Sequence, residues 1–86
     1  MIRDSVTIQI HTEFETRPIA MLVQVAGMYR SQIYVESGTK RVNAKSIMGM
    51  MSLGLDNGET VVISADGEDE KEALAGVIEY LTQSQA

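Results

Sequence analysis

Residue type and spacing combine into usable chemistry most clearly at Ser46, which heads the run Lys45-Ser46-Ile47-Met48-Gly49-Met50-Met51-Ser52-Leu53-Gly54. A hydroxyl residue before an apolar run closed by glycine predicts a short helix, with Ser46 as N-cap and Gly54 as C-terminal stop. A phosphate on that serine meets backbone N–H groups without intrahelical partners and the positive end of the helix dipole, so modification leaves the helix intact. It adds roughly 1.5 to 2 negative charges beside Lys45. Capping alone explains the same pattern, and the residues leave both roles open. Ile47, Met48, Met50 and Met51 cannot all face inward from so short a helix. Part of this apolar surface is expected to face solvent beside Ser46, as a contact patch.

The other candidates are weaker. The chain has no cysteine and a single histidine, His11, so neither a thiolate metal site nor a paired-histidine site is available. No Ser-His-Asp set and no phosphate loop ending in Gly-Lys is present. His11 lies at a strand end with nothing near it in sequence to form a relay. Glu13 and Glu15 share a polar loop and read as solvated acids. A non-enzymatic protein that needs no metal or cofactor is expected.

Composition narrows the setting. With 86 residues and 44% hydrophobic content, a single domain with a real core is expected over residues 1–86. No apolar run approaches the length of a membrane span and no signal-peptide pattern opens the chain, so a cytoplasmic protein is expected. A net charge of −5 argues against nucleic-acid binding, which relies on Lys and Arg to neutralise phosphates. Charge is also segregated: Arg17, Arg30, Lys40, Arg41 and Lys45 lie between positions 17 and 45, whereas eight of the twelve acids lie from Asp56 to Glu79. Faces of opposite sign suit an oriented protein partner.

The elements that must position Ser46 follow from periodicity. Val6, Ile8 and Ile10 alternate with polar residues and predict a strand over 5–10. Thr16-Arg17-Pro18 opens a helix that runs to Gly27, with Ile19, Leu22, Val23 and Ala26 at helical spacing. Strands are predicted over 31–37 and 40–43, joined by Gly38-Thr39. After the Ser46 helix, Asp56-Asn57-Gly58 marks a turn. Val61, Ile63 and Ala65 predict a fourth strand over 60–65. A last helix opens within Asp66-Gly67-Glu68-Asp69-Glu70, where acids complement the dipole. Leu74, Val77, Ile78 and Leu81 form its apolar stripe. The order βαββαβα predicts an α+β open sandwich, an antiparallel sheet with helices on one face and a wet second face.

Three segments carry a family resemblance: Thr16-Arg17-Pro18-Ile19-Ala20, the run from Val42 through Gly49 with Met51-Ser52-Leu53-Gly54, and Ser64-Ala65-Asp66-Gly67-Glu68-Asp69-Glu70-Lys71-Glu72-Ala73-Leu74. Together they resemble HPr, the phosphocarrier family of the bacterial sugar phosphotransferase system, over nearly the whole chain. The resemblance implies a four-stranded antiparallel sheet with three helices on one face. It also implies that position 15, two before Arg17-Pro18, should be the histidine that accepts phosphate from enzyme I. Here it is Glu15, which lacks the imidazole nitrogen, so sugar-transport phosphotransfer should be lost. Ser46 is kept in its Lys-Ser-Ile-Met-Gly setting. That combination is similar to the Crh branch of the family, the catabolite-repression HPr-like proteins, although a typical Crh has glutamine at position 15.

The resemblance then implies phosphorylation of Ser46 by HPr kinase/phosphorylase and corepressor action with the catabolite control transcription regulator. Ile47, Met48 and Met51 would be the apolar contact, and Arg17 and Lys45 would be the basic partners of the phosphate or of acids on the regulator. Two alternatives stay open: a phosphocarrier with a non-standard acceptor, and an adaptor that docks unmodified. Glu15 could imitate a phosphorylated histidine beside Arg17. The simpler expectation, adopted here, is an exposed carboxylate in a pair worth roughly 0 to 1 kcal/mol.

Overall fold

Alternating valine and isoleucine build the sheet, and helical periodicity builds its cover. The computed structural model describes residues 1–9, 18–53 and 58–82. Its elements are β1 (Ile2–Thr7), α1 (Pro18–Gly27), β2 (Gln32–Ser37), β3 (Lys40–Asn43), α2 (Ile47–Leu53), β4 (Thr60–Asp66) and α3 (Glu70–Leu81). The strands pair antiparallel in the spatial order β1-β4-β2-β3.

Register puts Val6 opposite Val61, Ile33 opposite Ala65 and Val35 opposite Ile63, all on one face and all buried. The same core takes in Leu22 and Ala26 of α1, Met50 of α2, and Ala73, Val77 and Leu81 of α3. Removing this apolar area from water is the main favourable term in folding. The architecture is the open sandwich expected, an antiparallel sheet with three helices.

The opposite face is polar but not wholly wet. Arg3 reaches Glu36 across β4 at 3.5 Å, and the Arg41 guanidinium lies 4.1 Å from the centre of the Tyr34 ring. Ser64, flanked in register by Arg3 and Tyr34, is buried on this side of the sheet. Long side chains thus shelter the central strand on the face that carries no helix.

Some element limits and one buried face differ from the expectation. The first strand spans Ile2–Thr7 instead of 5–10. Arg3 and Asp4 break the apolar alternation, but the strand still pairs with β4 from Ile2↔Ala65 onward, because an edge strand needs only one apolar face over part of its length. Ile8 leaves the strand yet stays buried, its N–H donating to the Glu59 carbonyl at 2.8 Å; Ile10 lies outside the described residues. Asp66 closes β4 and does not open the last helix. The buried stripe of α3 is Ala73, Val77 and Leu81, with Leu74 and Ile78 only partly covered on its flank. The helix is rotated so that its small Ala73 faces inward.

Asp69 fastens the start of α3 to the segment before β2. Its carboxylate accepts from the Arg30 N–H at 2.8 Å, the Ser31 N–H at 2.9 Å and the Ser31 hydroxyl at 2.5 Å. These donors, the hydroxyl foremost, pull its pKa from 3.8 down to about 2. Glu70, which accepts from the Gly67 N–H at 3.2 Å, is shifted in the same direction. A depressed carboxyl contributes stability that is present above its unfolded pKa and lost as the pH falls through the folded one. The Asp69 contribution therefore disappears between about pH 4 and pH 2. Asp69→Asn, which puts an amide donor against the Arg30 N–H, is expected to lower the thermal midpoint at pH 7 and to differ little from the parent at pH 2. Thermal unfolding across that range checks both ends, and a gap of constant size would contradict the assignment.

Candidate functional site

Asn43, at the end of β3, begins the construction of the site. Its side-chain oxygen accepts from the Lys45 N–H at 2.8 Å, and its carbonyl accepts from the Ser46 N–H at 3.0 Å. This turn chemistry is what asparagine supplies where a strand must stop. Ala44 is buried within the turn and donates to the Ile33 carbonyl at 2.8 Å, tying the turn to the sheet. Ser46 follows as the expected cap: its Oγ accepts from the Gly49 N–H at 3.2 Å, and its carbonyl accepts from Met50 at 2.9 Å. Ser46 itself is exposed. A hydroxyl held in a fixed place and open to solvent can be reached by a modifying enzyme.

One side chain anchors α2. Met50 is fully buried, whereas Ile47 is 46% exposed, Met48 79% and Met51 66%. The helix thus shows one apolar face to the core and a second to solvent, directly after the capped serine. Lys45 has a defined contact that its sequence position did not disclose. Its Nζ donates to the Tyr29 carbonyl at 2.7 Å, which fastens the start of α2 to the chain just past α1. That contact leaves two of the ammonium's three donors for other acceptors. Glu15 and Arg17 lie outside the described residues, a short distance in sequence before Pro18 opens α1. His11, Glu13 and Gly54 lie outside them as well.

Sequence reading passed over Met21. It lies on α1, which packs against α2, and is 44% exposed. The signal was available: Met21 falls outside the Ile19, Leu22, Val23 and Ala26 stripe, and a large apolar residue off the buried stripe has to face something else.

The cap gives a direct test of the local geometry. Ser46→Ala leaves the Gly49 N–H without its acceptor and is expected to cost about 1 kcal/mol, or roughly 5 °C in thermal midpoint. An unchanged midpoint would mean that the hydroxyl does not cap.

Residues 2–83 match the family model described as PTS HPr component phosphorylation site. The chain belongs to the HPr family. It is 41% identical over 83 residues to the HPr-like protein Crh of Bacillus subtilis, covering 96% of this chain and 98% of that one. It is 40% identical over 81 residues to the HPr-like protein Crh of Halalkalibacterium halodurans, covering 94% and 96%. Among solved structures it resembles the phosphocarrier protein HPr from Bacillus anthracis, with a TM-score of 0.86 and 36% identity over 93% of this chain and 95% of that one. The HPr match takes in the Asn43 turn, the Ser46 cap and all of α2. Among the described residues, no helix is long and apolar enough to cross a membrane.

Proposed function

We propose that this HPr-family chain is a regulatory protein of carbon catabolite repression. HPr kinase/phosphorylase phosphorylates Ser46, and the phosphorylated form acts in the cytoplasm as corepressor with the catabolite control transcription regulator. The observation that carries this reading is an exposed, capping Ser46 hydroxyl beside the exposed Ile47, Met48 and Met51 on one short helix. The two kinds of surface serve different ends. Apolar side chains supply non-directional contact area, and a phosphate supplies charge and acceptor oxygens that a partner's basic groups can read.

The phosphate keeps α2 intact because it sits at the end where backbone N–H groups are unpaired. Lys45 and Arg17 take the basic roles, either as partners of the phosphate or as contacts for acids on the regulator. Glu15 stands where the family's histidine would accept phosphate, so no phosphotransfer to sugar follows. Recognition is by protein surfaces, with no direct nucleic-acid contact by this chain and no membrane attachment.

Titrating the regulator with kinase-treated protein, untreated protein and kinase-treated Ser46→Ala tests the reading. The phosphorylated form is expected to bind at least about tenfold more tightly than the other two, as one to three new charge-assisted hydrogen bonds allow. Equal affinity in all three would identify an adaptor that docks unmodified and would overturn the switch.

A further inference from the structure

Five of the six methionines are exposed, and Met50 alone is fully buried. The chain has no cysteine, so its thioethers are the side chains most open to mild oxidation. Met48 and Met51 lie three positions apart on α2, on the same flank of the helix that Ser46 caps. We propose that Met48 and Met51 form a reversible oxidation site, at which peroxide-type oxidants turn the docking face polar and weaken recognition of the Ser46 surface.

Met1, Met21 and Met28 are open to the same oxidant, but among the exposed methionines only Met48 and Met51 lie on the helix that Ser46 caps. Ile47 shows that this face can hold a hydrocarbon residue, yet its two most exposed positions carry sulfur. The thioether that anchors the helix, Met50, is at 0% exposure and shielded from the same oxidant. Oxidation therefore alters the contact surface while the anchor and the serine cap stay in place. A sulfoxide oxygen on a docked face must find a donor or be buried unpaired, and an unpaired polar group disfavours the complex.

The chemistry balances. A sulfur lone pair attacks one oxygen of hydrogen peroxide, the O–O bond breaks, and the departing hydroxide takes the proton from the oxygen now on sulfur, giving sulfoxide and water. The sulfur loses two electrons and peroxide gains them. Methionine sulfoxide reductase reverses the step with a dithiol, which becomes a disulfide as the sulfoxide oxygen leaves as water.

This inference rests on the proposed docking of HPr kinase/phosphorylase, so the experiment begins with untreated protein, kinase and ATP. If untreated protein gains no phosphate, the functional reading fails and takes the switch with it. Given that phosphorylation, protein is exposed to hydrogen peroxide, cleared of it with catalase, mapped by peptide mass and assayed again. Met48 and Met51 are expected to gain one oxygen each while Met50 gains none. The phosphorylation rate is expected to fall about tenfold and to recover after sulfoxide reductase and dithiothreitol. Met48→Leu/Met51→Leu, compared with its own untreated sample, is expected to show no fall. Unchanged rates with both positions oxidised, or an equal fall in the leucine variant, would overturn the proposal while leaving the functional reading standing.

Discussion

Replacing Gly67 by alanine is expected to destabilise the protein by about 3 kcal/mol, the effect of forcing a core contact apart, and to lower the thermal midpoint by roughly 15 °C. A Cβ at that position would stand 2.6 Å from the Ser31 hydroxyl oxygen and 2.7 Å from the Ser31 Cα. Backbone cannot yield as the tip of a long side chain can. Ser31 is buried, and both its N–H and its hydroxyl are engaged by Asp69. Relieving the clash thus means giving up the clasp that joins the start of α3 to the segment before β2. Urea unfolding of parent and variant measures the loss directly. A change below about 1 kcal/mol would mean that the chain around Gly67 yields more easily than its packing implies.

Met50→Ala is expected to cost about 3 kcal/mol, within the range for truncating a fully buried methionine. Its consequence is local as well as global. Met50 is the buried residue of α2, so truncation leaves a seven-residue helix with little to hold it against the core. Too short to persist alone in water, the helix is expected to open before the sheet does. Amide exchange at Gly49 and Met50 should then quicken well beyond exchange in β4. Met48→Ala and Met51→Ala, on the exposed side of the same helix, should each cost no more than about 0.5 kcal/mol. Similar losses at all three positions would contradict the division between buried anchor and exposed face.

That division was legible in the chain before folding. Four apolar residues on a capped helix of this length cannot all be inward, and a serine before such a run signals the cap. Strands β2 and β3 and most of β4 were likewise readable, because valine and isoleucine at alternate positions leave only one face to bury. Edges were harder to read. β1 begins at Ile2, where Arg3 and Asp4 hide the pattern, since pairing to β4 supplies what alternation does not. On α3 the small Ala73 is fully buried while the larger Leu74, expected on the inward stripe, is only partly covered, because alanine and leucine at neighbouring positions leave the rotation of the helix open to either.

Contacts that depend on chain closure left no local trace. Asp69 and the Arg30–Ser31 backbone are nearly 40 residues apart, and an acid ahead of a helix reads more simply as a dipole partner. Lys45 was read as a basic residue facing a partner, whereas its ammonium also holds the Tyr29 carbonyl. The glutamate at position 15 acquires meaning only by alignment with the HPr family.

The central claim is that Ser46 takes phosphate from a kinase and that no phosphohistidine route remains. Intact mass measured after HPr kinase/phosphorylase with ATP, and in parallel after enzyme I with phosphoenolpyruvate, on parent and Ser46→Ala protein, tests it most directly. One phosphate is expected from the kinase, none in Ser46→Ala, and none from enzyme I in either protein. An acid-labile phosphate gained from enzyme I, or no phosphate from the kinase, would contradict it.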